Sequence, residues 1–297
     1  MPIISTKNLN IYFERSPERE YESLLYIGGT AGDLRNKPNQ MDSPLTNFFE
    51  VISYDQRGLG QTEVPAGEYS MQQYADDAAN LLDALKIESI NVFGVSFGGM
   101  VAQELTIRHP SRVKKLVLAC TSSGGKGGSS YPLHELEELD PESKLEKSIK
   151  INDLRISDDW IKNNQETWSE IKLNTQERKL VSPDQKNLLK QLSARKGHDT
   201  FGRLKQIDTP VLLTGGKYDG IAPVSNMKSL QLQIKGSELK FYEVNNKQHN
   251  GKLKVSGPID WKNEITGKTI KVYERKRGSK IETGCKKIDI RKKLNPF

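Results

Sequence analysis

A chain of 297 residues is long enough for one large single-core domain carrying an inserted subdomain, so length alone does not demand two independent domains. Its two cysteines, Cys120 in an apolar run and Cys285 in a basic tail, exclude a disulfide framework and a cysteine-based zinc site, and they favour a reducing compartment. The net charge of +7 is unevenly placed: residues 251–297 hold 14 Lys+Arg against 5 Asp+Glu, whereas residues 1–250 hold 31 against 33.

The first residues, MPIISTKNLNIYFERS, lack a basic n-region and a long apolar core. No uninterrupted apolar stretch approaches the roughly 18 to 20 residues that cross a bilayer. A soluble, unexported, cytoplasmic protein is the expectation. Ile3 to Ile4 and Ile11 to Phe13 read as a short hairpin or a pair of edge strands, and the apolar run Leu24 to Ile27 ends in glycines. Val51 to Tyr54 is a second buried-strand candidate, stopping at Asp55-Gln-Arg-Gly-Leu-Gly60.

From Ser70 the period changes. Met71, Tyr74, Ala75, Ala78, Leu81, Leu82 and Leu85 share one helical face, Ser70 with Gln73 forms a capping-box signature, and the helix is expected to end near Lys86. Ile90 to Phe93 reads as a strand, Met100 to Ile107 as a helix closed by Pro110, and Leu116 to Ala119 as another strand. Strand and helix in alternation imply parallel pairing with helices on the faces of the sheet. From Thr121 to about Ile207 the strands vanish, which marks a helical cap insertion where Trp160, Ile161, Trp168 and Ile171 pack the cap onto itself or line an apolar face. Alternation resumes with a strand over Val211 to Thr214, a helix over about Val224 to Ile234 and a strand over Leu239 to Val244. The expected organisation is a core in two parts, 1–121 and 208–250, around a cap at 122–207, followed by an atypical basic extension at 251–297.

The sharpest chemical signal is Gly94-Val95-Ser96-Phe97-Gly98-Gly99, set between a predicted strand and a predicted helix. A serine on such a cramped turn needs flanking glycines so that strand and helix can approach. Serine is a poor nucleophile until a base takes its proton, so a histidine oriented by a carboxylate must exist elsewhere. Of the four histidines, His109 ends a helix before Pro110 and reads as a surface or capping residue, His134 lies at the cap entrance, and His198 closes the cap in Gly197-His-Asp199. His249, after the last predicted strand, is the preferred base and His198 the reserve. Asp219, in the loop after the Val211 strand, is the matching carboxylate, against the plainer reading of an Asx-turn before Pro223. Oxyanion donors would be the Phe97 amide and the Thr30 amide from Gly28-Gly-Thr-Ala-Gly32. A phosphate cradle ranks low there, because neither G-x-G-x-x-G nor G-x-x-x-x-G-K-[ST] is present.

These residues resemble the α/β-hydrolase superfamily over about residues 1 to 250, and more narrowly the 3-oxoadipate enol-lactonase-like group. The narrower likeness rests on Gly32-Asp-Leu-Arg35, Tyr54-Asp-Gln-Arg-Gly-Leu-Gly60, the Asp76-Asp77 to Leu85 helix, Gly98-Gly-Met-Val-Ala-Gln103 and Gly215-Gly-Lys-Tyr-Asp219. The resemblance implies an α/β fold with a mostly parallel sheet, no metal or organic cofactor, and a small ester or lactone substrate. It also implies that Arg35 binds a substrate carboxylate, while Arg57 is expected in a structural salt bridge beside Asp55. Carbon–carbon bond hydrolases and aminopeptidases share the same core. Beyond Asn250 the resemblance fails, and only Pro258 to Ile265 offers a short closing helix. The basic tail admits three readings: a solvated extension without a partner, a C-terminus altered by genetic rearrangement that leaves an impaired hydrolase scaffold, or an arm for nucleic acid.

Overall fold

The computed structural model describes residues 3–18, 20–177, 181–242, 259–263 and 268–272. The chain divides into two units, Met1–Lys254 and Val255–Phe297. In the first, the described residues place eight strands in one sheet: β1 (Ile3–Ser5), β2 (Asn10–Arg15), β3 (Ser23–Ile27), β4 (Glu50–Tyr54), β5 (Ile90–Val95), β6 (Val113–Ala119), β7 (Val211–Gly216) and β8 (Glu238–Tyr242). Their order is β1-β2-β4-β3-β5-β6-β7-β8, antiparallel through β1, β2 and β4 and parallel from β4 to β8. The parallel strands carry near-continuous apolar runs because helices cover both faces. All five residues of β4 are buried, as are Leu24, Leu25 and Ile27 of β3.

The chain lays β4 on one side of β3 and then crosses to place β5 on the other. That reversal opens a crevice beyond the C-terminal ends of β3 and β5, where open α/β sheets bind their ligands. Helix α1 (Met71–Ala84) makes this crossing, and its capping box is present: the Ser70 hydroxyl accepts the Gln73 N–H and the Gln73 side chain accepts the Ser70 N–H. Helix α2 (Phe97–Arg108) follows β5. It starts three residues before the expected Met100, because Gly98 and Gly99 form its first turn.

Between β6 and β7 the described residues are helical: α3 (Pro141–Asn152), α4 (Asp158–Asn163), α5 (Gln165–Gln176) and α6 (Gln185–Lys196), with short 3₁₀ turns. This insertion has a small core of its own, in which Ile149, Ile156 and Trp168 are buried and Trp160, Ile161 and Ile171 pack on them. Helix α7 (Val224–Gln233) then leads to β8. Residues 243–258, including the end of the expected last strand and His249, lie outside the described residues.

In the second unit, β9 (Ile259–Asn263) and β10 (Lys268–Val272) pair antiparallel. This corrects the expectation of a helix over Pro258 to Ile265. Ile259 and Trp261 alternate with polar neighbours, as Ile270 and Val272 do, and alternation with β-branched residues suits a strand ladder.

Candidate active site

Ser96 sits where β5 turns into α2, with φ 54° and ψ −116°. A non-glycine residue held there is strained by on the order of 1–3 kcal/mol, and the surroundings must enforce it. They do so through the backbone: the Ser96 N–H donates to the Ala119 carbonyl (2.8 Å), and the Ser96 carbonyl accepts the Gly99 N–H (2.9 Å) and the Thr121 hydroxyl (2.7 Å). Glycines make the approach possible. A Cβ on Gly98 would stand 2.0 Å from the Ile27 carbonyl oxygen, and one on Gly94 would stand 2.5 Å from that of Gly98.

The Gly28–Gly32 loop leaves the end of β3 and passes beside the serine; a Cβ on Gly29 would meet the Ser96 Cβ at 3.6 Å. Three contacts fix this loop. Gln56 Nε2 donates to the Gly28 carbonyl (2.8 Å), the Gly32 N–H donates to the Gly29 carbonyl (3.3 Å), and the Ala31 N–H donates to Gln191 Oε1 of α6 (2.9 Å). Ala31 itself has a positive φ of 59°. Thr30 lies within this loop, and Phe97 opens α2, where the first N–H groups have no partner inside the helix.

Asp219 follows β7, two strands from β5 along the same C-terminal edge. Its Oδ1 accepts the N–H groups of Ile221 and Ala222, both at 2.8 Å, so the Asx-turn geometry is present and one carboxylate oxygen is fixed. Beside it, the Cys120 thiol is pushed up to about 11 by burial first and by the Asp219 charge second. Cys120 therefore stays protonated at neutral pH and does not compete as a nucleophile.

The structure brings the turn bearing Ser96, the Thr30 loop and Phe97 together, with Asp219 at the same sheet edge. His249 lies outside the described residues. His109 caps α2 at the surface, with Nε2 2.8 Å from Asp76 Oδ1. His198, the reserve base, is 5% exposed, and burial holds its pKa down at about 4. Arg35 is engaged by Asp33, with Nη2 to Oδ2 at 2.5 Å and Nε to Oδ1 at 3.0 Å.

Arg57 pairs with Asp77 of α1 (Nε to Oδ2 2.6 Å, Nη2 to Oδ1 2.8 Å), which corrects the expected bridge beside Asp55. Asp55 instead accepts the Leu34 and Gln61 N–H groups, and burial raises its pKa to about 6. Sequence reasoning passed over Gln191 and Arg195, buried at i and i+4 on α6. Two polar residues interrupting the face that carries Leu192 and Ala194 were the available signal.

The alpha/beta hydrolase fold family model matches residues 22–145. The chain is 27% identical to the putative carbamate hydrolase RutD of Agrobacterium fabrum, over 75% of this chain and 84% of that protein. It is 44% identical to the 2-hydroxymuconate semialdehyde hydrolase of Pseudomonas sp. strain CF600, over 31% of each chain. The enol-lactonase of Burkholderia xenovorans LB400 superposes with a TM-score of 0.64 at 20% identity, covering 81% of this chain and 91% of that one. Among the described residues, no helix is long and apolar enough to cross a membrane, and no group of three or more His, Cys, Asp or Glu could hold a metal ion. Sheet order, strand-to-helix turn and similarity agree: the chain has the α/β-hydrolase fold and is a hydrolase.

Proposed function

We propose that the protein is a serine hydrolase of small esters or lactones working by two-step acyl transfer. The observation that carries this reading is the strained turn at Ser96, held against the Gly28–Gly32 loop. Ser96 attacks the carbonyl as His249 takes its proton, and Asp219 holds that imidazole in the tautomer the transfer needs. The strands bearing Ser96 and Asp219 are two spacings apart, about 10 Å, room for an imidazole and its hydrogen bonds between the two side chains. The Thr30 and Phe97 amides donate to the oxyanion, and each such donor contributes on the order of a hundred- to a thousandfold in turnover. Water activated by the same histidine then releases the acid.

A fluorophosphonate probe is expected to label Ser96 in the full-length protein, and Ser96→Ala to abolish labelling and nearly all ester turnover without a large change in thermal stability. A folded wild-type protein that resists the probe and turns over no p-nitrophenyl ester, enol-lactone or carbamate refutes the assignment. The similarity to 2-hydroxymuconate semialdehyde hydrolase favours a second reading, cleavage of a carbon–carbon bond beside a ketone. Product analysis with a dienone substrate separates the two.

A further inference from the structure

Where the insertion rejoins the core lies a cavity of about 200 Å³, whose lining includes Arg195, His198, Ser122, Ser130, His134 and Met100. Arg195 is 7% exposed, yet among the described residues its Nε and Nη2 have no hydrogen-bond partner and no carboxylate is paired with it. His198 is 5% exposed, and among the described residues its ring nitrogens meet no partner at full hydrogen-bond geometry, the Ser122 backbone lying near enough to favour the charged ring. Ser122 and Ser130 bond each other through their hydroxyls at 2.9 Å, which leaves one hydroxyl hydrogen of the pair to donate elsewhere. The acidic groups nearest His198 are already occupied. Glu104 is gripped by Arg203 at 2.5 and 2.9 Å, and Asp199 accepts the Phe201 N–H at 3.0 Å.

The lining is rich in donors: Arg195 offers a planar fork, Lys196 an ammonium, the Ser122–Ser130 pair one hydroxyl hydrogen and the neutral His198 ring one N–H. A guanidinium kept from water without a counter-charge is costly, and the group that best satisfies its two parallel N–H donors is a carboxylate. The cavity also adjoins the Ser96 turn. The N–H of Met100 donates to the Ser96 carbonyl (3.3 Å), Ser122 follows the Thr121 whose hydroxyl binds that same carbonyl, and Arg195 stands one helical turn beyond Gln191, which holds the Ala31 amide.

We propose that this cavity binds the carboxylate group of a small organic acid, with the Arg195 fork as its principal partner and His198 and the Ser122–Ser130 pair completing the shell. That acid is either the charged end of a substrate or product, which rests on the hydrolase reading above, or a separate small acid acting as an effector, which does not. Arg195, unlike Arg35, has no carboxylate of its own among the described residues.

Calorimetric titration of the full chain with butyrate and with its uncharged analogue butyramide tests the site. Butyrate is expected to bind at least tenfold more tightly than butyramide. Arg195→Gln should erase that difference, and Arg195→Lys should keep part of it, because lysine retains the charge and loses the fork. Ser96→Ala should bind butyrate as the wild type does. Equal affinity for the two probes, no binding of either, or undiminished butyrate binding by a folded Arg195→Gln variant overturns the proposal. Where that variant does not fold, the wild-type comparison of the two probes decides. Competitive inhibition of ester turnover by butyrate identifies the substrate's own carboxylate as the occupant, and non-competitive inhibition identifies a separate acid. Arg195-dependent butyrate binding by a protein without ester turnover sustains this site while the hydrolase reading falls.

Discussion

A histidine and a serine mark how differently burial acts on single residues here. Ser96 is placed by backbone contacts that a glycine-serine pattern announces, so the turn is legible in the sequence itself. His198 was legible only as a spare histidine at the end of a helical stretch; its near-complete burial is a tertiary fact. That burial makes its charged form costly, so the folded protein takes up this proton only near pH 4, whereas the unfolded chain does so near the ordinary value of 6.5. The contribution to stability is therefore whole above pH 6.5 and is lost as pH falls towards 4. In carboxylate-free buffers, the unfolding free energy of the wild type is expected to fall between pH 7 and pH 4.5 by on the order of 2 kcal/mol more than that of His198→Gln. Parallel pH profiles from urea unfolding check this, and identical slopes would contradict it. Asp55, whose raised pKa acts in the opposite direction, is common to both proteins and cancels in the difference.

At the scale of elements, periodicity and caps gave the first helix and the core strands to within a few residues, because amphipathic spacing and the Ser70–Gln73 box are local. Partnerships between elements were not local. Arg57 lies two residues from Asp55, and proximity in sequence suggested that pair. The buried ion pair instead reaches across to Asp77, fastening the loop after β4 to α1, with the rings of Tyr69 and Tyr74 5.4 and 5.8 Å from the guanidinium carbon. Asp77→Ala leaves a guanidinium buried without its counter-charge and is expected to cost about 3–5 kcal/mol in urea unfolding. The double replacement Arg57→Met with Asp77→Leu should recover most of that loss, since well-packed apolar groups of similar volume carry no desolvation penalty. The orientation of α6 was equally hidden: only the folded chain turns Gln191 and Arg195 inward together.

For the molecule as a whole, the alternation of strands and helices identified one hydrolase core with an interruption, while the sheet order needed the register of strands far apart in sequence. The small β9–β10 hairpin escaped the sequence reading because its alternating apolar residues sit in a lysine-rich background. Among the described residues of the first unit, two apolar clusters of unequal size stand out: an extensive one on both faces of the sheet, and the compact one around Ile149, Ile156 and Trp168. Fewer buried contacts imply cheaper local opening. Amides of α4 and α5 are expected to exchange with deuterium faster than those of β3 and β5, and Trp168→Ala should widen the gap while leaving the strand amides almost unchanged; uniform protection would show a single cooperative body. The insertion is nevertheless tied firmly where it begins and ends. Gln103 Nε2 donates to the Ser122 carbonyl (3.0 Å), its Oε1 accepts the Thr200 hydroxyl (2.6 Å), and the Thr200 N–H donates to the Ser123 carbonyl (2.8 Å). One glutamine thus clasps both stems of the inserted excursion like a drawstring. Any breathing that admits a ligand must come from flexing beyond that clasp, not from swinging the whole excursion about its roots.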